Sequence, residues 1–128
     1  MIETISETSV KEVTPTNELV QACCRALDDR KAEGIKVLYM GSKSTVADYF
    51  VIATGTSNPH LRALRVAVEK ELDSRKASIL SMDMNTESGW VVVDADNIIF
   101  HFFTKPMREL YALEKLWKDA DDVPVKLA

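Results

Sequence analysis

Cysteine is nearly missing from the 128 residues: there are two, Cys23 and Cys24, side by side. Successive residues of a helix point about 100° apart, so the pair is not expected to close a disulfide. Two small, buried, reduced side chains are the expected reading. Histidine is as scarce. His60 and His101 stand far apart with no Cys or His at ligand spacing, which leaves a zinc site and any other metal or cofactor without support. Long apolar runs are missing too. Hydrophobic residues make up 46% of the chain, yet the longest runs are strand-sized, far short of the ~20 residues of a membrane span. The opening M-I-E-T-I-S-E-T is acidic where a secretory leader is basic and then apolar. A cytosolic protein is expected.

An excess of positive charge is the last absence. Sixteen basic against twenty acidic residues leave −4, so bulk electrostatics do not draw the chain to nucleic acid, and such a partner would need a local patch. The basic residues that cluster, Arg62, Arg65, Lys70, Arg75 and Lys76, are interleaved with Glu69, Glu71 and Asp73 and read as a solvated helix face. What is present, 46% apolar and 28% charged residues in a chain of this length, fits one globular domain.

The pattern along the chain gives its order. Residues 1–15 lack a sustained period and end at Pro15, so they read as a flexible N-terminal tail. Leu19, Cys23 and Leu27 recur at i, i+4, i+8 after Thr16 or Asn17 as cap, and Gly34 stops this first helix. I-K-V-L-Y-M (35–40) and D-Y-F-V-I-A-T (48–54) read as strands. Asn58 or Ser57 then caps a helix that opens with Pro59 and faces inward through Leu61, Leu64, Val68 and Leu72. A short strand at Ile79 to Met82 precedes a β-hairpin, W-V-V-V-D and I-I-F-H-F-F, turning around Asp94 to Asn97. Trp90 and Val92 point opposite to Val91 and Val93, so both faces of the hairpin are apolar and both need cover. The expectation is a single-domain α/β (α+β mixed) fold over residues 16–118. Its mixed sheet has about five strands packed with helices, and 119–128 form a C-terminal tail.

The last predicted helix, M-R-E-L-Y-A-L-E-K-L-W from Met107 to Trp117, is too apolar for its own domain. With Met107 at zero on a helical wheel, Tyr111 falls near ~40°, Leu110 near ~300°, Trp117 near ~280°, Leu113 near ~240° and Leu116 near ~180°. An arc of roughly 220° exceeds the ~100° stripe that one core covers. Something else is expected to pack there.

Four stretches together, A-D-Y-F-V-I-A-T-G-T-S-N (47–58), G-W-V-V-V-D (89–94), I-I-F-H-F-F (98–103) and R-E-L-Y-A-L-E-K-L-W (108–117), resemble the ribosomal silencing factor (Iojap) family, in its order and spacing over about residues 17–118. The resemblance implies a nucleotidyltransferase-like core without that activity, and no cofactor. It implies a protein that binds the fourteenth protein of the large ribosomal subunit and blocks joining of the small subunit, damping translation when nutrients are scarce. Relatives linked to large-subunit assembly supply the alternative, and free copies of the family pair as homodimers. Contact with ribosomal RNA would be incidental.

The residues themselves also argue against transfer chemistry. A nucleotidyltransferase needs a Gly-Ser turn and two acids one residue apart to hold its metal ions. Gly41-Ser42 and Asp48 imitate this, but the second acidic position is Phe50. Lys105 departs from the polar or acidic pair more usual in relatives.

The candidate partner-binding residues each carry two readings. Tyr111 and Trp117 are interface types but could fill the core. Leu113 and Leu116 are anchors if Met107 is buried. Arg108 pairs with a partner carboxylate or carbonyl, or within its helix with Glu109 or Glu114. Trp90 packs in the core or joins the contact. His101 is a satisfied neutral histidine, or a polar contact on the docking face.

Overall fold

The computed structural model describes residues 16–40, 47–82, 88–112, 115 and 120–125. Helix α1 (Thr16–Asp29) leads into β1 (Glu33–Tyr39), β2 (Tyr49–Gly55), α2 (Asn58–Ser74), β3 (Ile79–Met82), the hairpin β4 (Trp90–Ala95) and β5 (Ile98–Thr104), α3 (Lys105–Tyr111) and β6 (Asp121–Val123). The six strands form one sheet in the order β3-β4-β5-β2-β1-β6. Its centre, β2 against β5, is parallel; the other pairs are antiparallel.

Local chemistry sets the boundaries. Ser57 caps α2, its Oγ accepting from His60 N at 3.2 Å, with Pro59 in the first turn where a missing N–H costs nothing. The hairpin turns on Asp96 and Asn97 alone, Asp96 taking φ +52. Lys31, not Gly34, takes the left-handed conformation that ends α1 (φ 68). Gly34 instead lies within β1 at φ 57, where the register against β2 shifts between Glu33 and Lys36.

Side-chain alternation divides the core between two faces. On one, α1 and α2 cover Val37, Val51, Val91, Val93, Phe100 and Phe102, all at most 1% exposed. At about 25 cal/mol per Å², each such phenylalanine stabilises the fold by roughly 2–3 kcal/mol. The other face carries Leu38, Phe50, Ile52, Ile99 and Phe103, with Trp90, Val92 and Met107 packed on them. The two-sided burial read from the hairpin is therefore real.

The sheet has one strand more than the five expected. Asp121–Val123, in the stretch read as a C-terminal tail, pairs with Val37–Tyr39 and covers the edge of β1. Val125 packs on the core, and Gln21 Nε2 donates to Pro124 O at 2.9 Å. A three-residue strand with two acids carries no alternation a sequence reading could detect. The expected helix from Met107 to Trp117 also differs. It starts at Lys105 with Pro106 in its first turn and stops at Tyr111, because Ala112 turns left-handed (φ 47, ψ 48) and its N–H closes on Arg108 O at 2.8 Å. Leu113, Leu116 and Trp117, whose wheel positions were counted from Met107, lie outside the described residues.

Candidate functional site

Helix α3 lies on the sheet face opposite α1 and α2, and none of its residues is fully buried. Three side chains seat it. Met107 packs into the apolar layer with Phe103 and Trp90. Arg108 reaches across the carboxyl end of β2, its Nη1 donating to Gly34 O at 2.6 Å and Thr54 Oγ1 at 2.9 Å. Tyr111 lays its ring on Trp90, centroids 4.4 Å apart, and against Phe103 at 6.1 Å.

Beneath Tyr111 the rings continue. Trp90 stacks on Phe103 at 5.1 Å and meets His101 at 5.9 Å; His101 in turn faces Phe50 at 5.2 Å. The hairpin register explains the cluster: Trp90 pairs with Phe103 and Val92 with His101, so one face of the ladder presents them together. β3 pairs only with Val93–Ala95, which leaves Trp90 on a stretch of β4 beyond it.

The imidazole state follows from its partner. An indole N–H can only donate, and Trp90 Nε1 donates to His101 Nδ1 at 3.2 Å, so the proton of neutral His101 sits on Nε2. Nε2 is buried, with no partner among the described residues. Burial pushes the pKa of His101 down to about 4. At 7% exposure the His101 ring presents almost nothing outward, and its Nδ1 is held by the Trp90 indole.

The surface above is part apolar and part charged. Leu110 is 71% and Tyr111 42% exposed, adjacent at the end of α3. Beside them opens a groove of about 510 Å³ walled by Glu33, Thr54, Lys105, Arg108, Glu109 and Lys115 among others. Of the residues singled out in the sequence, Trp90, His101 and Tyr111 thus come together, and Arg108 stands one groove wall away. Leu113, Glu114, Leu116 and Trp117 lie outside the described residues. Leu110 falls in the apolar arc, but its residue type assigns it no role; its exposure follows only from the way α3 docks.

Asp48 precedes β2, its N–H donating to Asn97 O at 2.9 Å and its carbonyl accepting from Met40 N at 2.6 Å. Phe50 is 5% exposed within the core layer, hydrocarbon where a second metal-holding carboxylate would be needed. Gly41 and Ser42 lie outside the described residues. Among the described residues no helix is long and apolar enough to cross a membrane.

A profile described as "Ribosomal silencing factor during starvation" matches residues 13–127. The chain is similar to the ribosomal silencing factor RsfS of Bacillus subtilis, 36% identical over 102 residues that span 80% of this chain and 86% of that protein. It is similar as well to RsfS of Halalkalibacterium halodurans, 34% identical over 109 residues, 85% of this chain and 93% of the relative. Among solved structures, one from Chromobacterium violaceum superimposes with a TM-score of 0.78 at 27% identity, covering 82% of this chain and 88% of that one.

Proposed function

The chain belongs to the ribosomal silencing factor family, and from that premise we propose that it represses translation by binding the large ribosomal subunit through its fourteenth protein, so that the small subunit cannot join. The observation that carries this reading is the exposed Leu110–Tyr111 step of α3, whose Tyr111 ring lies on the Trp90–Phe103 layer. Two adjacent large apolar side chains over a packed base, rimmed by Lys105, Arg108 and Glu109, have the make-up of an interface anchor within a polar border.

The proposed partner-binding region comprises Trp90, Arg108 and Tyr111 with His101 in the layer under them, followed along the chain by Leu113, Glu114, Leu116 and Trp117. His101 acts from beneath the surface. Repression then needs no catalysis: occupancy of the joining face is enough, and affinity rests on a few anchors. The setting is the cytoplasm under nutrient limitation, ribosomal RNA contributes at most incidental contacts, and free copies pair as a homodimer.

The test is sucrose-gradient sedimentation of purified large and small subunits mixed with increasing protein. Co-migration with the large subunit and a shrinking joined-ribosome peak are expected. Protein left at the top of the gradient with that peak unchanged overturns the reading. If joining of mature subunits is untouched but depleted cells accumulate immature large particles, the protein acts in assembly instead.

A further inference from the structure

The feature that docking alone leaves unexplained is a histidine buried under the proposed contact surface and bonded to a tryptophan rather than to solvent. His101 is 7% exposed on β5, and its Nδ1 is the acceptor for the Trp90 indole. An indole N–H at a partly buried position needs such an acceptor, or it forfeits its hydrogen bond to water. Trp90 in turn is the floor on which Tyr111 lies, 4.4 Å between centroids. α3 has no fully buried residue of its own to fix its orientation.

We propose that His101 is a positioning residue, which touches no partner but sets the rotamer of Trp90 through Nδ1 and thereby the placement of Tyr111 and Leu110 on the docking surface. This rests on the docking reading for its functional half only; the structural half concerns the free chain.

The alternatives for the imidazole are weaker. A plain filler at this site would be served by an apolar side chain, yet the ring carries two polar atoms into an aromatic layer, one of them without a partner among the described residues. That is a cost with no return unless Nδ1 has a task. The charged and titratable groups on this face do not supply one. Asp94 sits two residues along β4 from Val92, opposite Ile99. Lys36, opposite Ile52 on β1, pairs with Asp122 of β6 at 3.2 Å. From α3, Arg108 is turned to Gly34 and Thr54, and Tyr111 contacts Trp90 and Phe103 with its ring. The opposite face, under α1 and α2, is apolar.

The experiment uses the full chain labelled with nitrogen-15, whose two indole resonances are assigned with Trp90→Phe. In the native protein the Trp90 resonance should exchange slowly with water. It should also move as pH falls through about 4, when Nδ1 gains a proton and can no longer accept. His101→Leu should shift that resonance at neutral pH, speed its exchange at least ten-fold and weaken large-subunit binding at least five-fold. His101→Asn, whose Oδ1 can replace the acceptor, should recover most of both.

An indole resonance indifferent to His101→Leu and to acid overturns the proposal. So does a His101→Leu variant whose indole resonance shifts while it binds the large subunit as tightly as a wild type that does bind. If the wild type binds no ribosomal subunit, the docking reading fails while the indole measurements still decide whether His101 holds Trp90. Should the leucine variant not fold, the wild-type acid titration and the asparagine variant decide the same question.

Discussion

Arg108 Nη1 lies 2.6 Å from the carbonyl oxygen of Gly34, and a Cβ on Gly34 would sit 2.8 Å from that same nitrogen. One residue of β1 thus accepts the guanidinium that ties α3 to the sheet, and leaves room for it by having no side chain. The positive φ of Gly34 adds a second demand for glycine.

Gly34→Ala should therefore destabilise the fold by about 1–2 kcal/mol, from left-handed strain and the displaced guanidinium. Urea unfolding of the single variants and of Gly34→Ala combined with Arg108→Ala checks the mechanism. The glycine substitution should cost less when Arg108 is already gone, since part of its effect passes through that contact. Strict additivity would remove Arg108 from the explanation.

His101 should make stability depend on pH with a definite sign. Its pKa is pushed from 6.5 in the unfolded chain to about 4 in the folded one. Between those values the unfolded state binds more protons, so stability rises with pH across that window and is fully present above it. Complete loss below both values would be on the order of 3 kcal/mol. Comparing urea midpoints at pH 4.5 and 7 in wild type and His101→Asn isolates this contribution from that of the carboxylates, and the wild type should show the steeper dependence.

Leu110 and Phe100 should separate binding from folding. Leu110→Ser alters a side chain that is 71% exposed, so stability should stay within about 0.5 kcal/mol. Large-subunit binding should nonetheless fall by about 1–2 kcal/mol if the residue is an anchor. Phe100→Ala, at a fully buried position, should cost about 3–5 kcal/mol of stability. Gradient co-sedimentation beside thermal unfolding distinguishes the two, and undiminished binding by Leu110→Ser would exclude it from the contact.

Cys23 and Cys24 should be inert thiols in the folded chain. Both are 0% exposed, and burial raises both pKa values, that of Cys24 to about 12. The thiolate is the reactive species, so alkylation at pH 8 should proceed only as fast as the chain opens. Rapid labelling of native protein, read by mass spectrometry, would contradict the packing of α1.

Much of this was legible in residue order. Leu61, Leu64, Val68 and Leu72 face the core as their spacing dictates, and the two apolar faces of the hairpin follow from period-two alternation. Once the structure fixed a two-residue turn, where the sequence placed one only around Asp94 to Asn97, Trp90 and His101 could be placed on one face of a ladder. Their hydrogen bond could not, because it depends on rotamers that the neighbouring rings select.

By itself the sequence determined what is local or periodic: a mixed α/β chain, the inward faces of its first two helices, the Ser57 cap and the hairpin turn, and an unusually apolar stretch near the end. Only the tertiary structure decided where that stretch breaks, which of its side chains stand outward, and that Arg108 is turned toward β1 and β2. Ala112 is an ordinary helix former, so its left-handed turn has no signature in residue type. Gly34 and Arg108 are 74 residues apart, and no short-range pattern encodes a bond whose geometry is set by how a helix settles on a sheet. Local order is written in neighbouring residues; the docking surface exists only where distant ones meet.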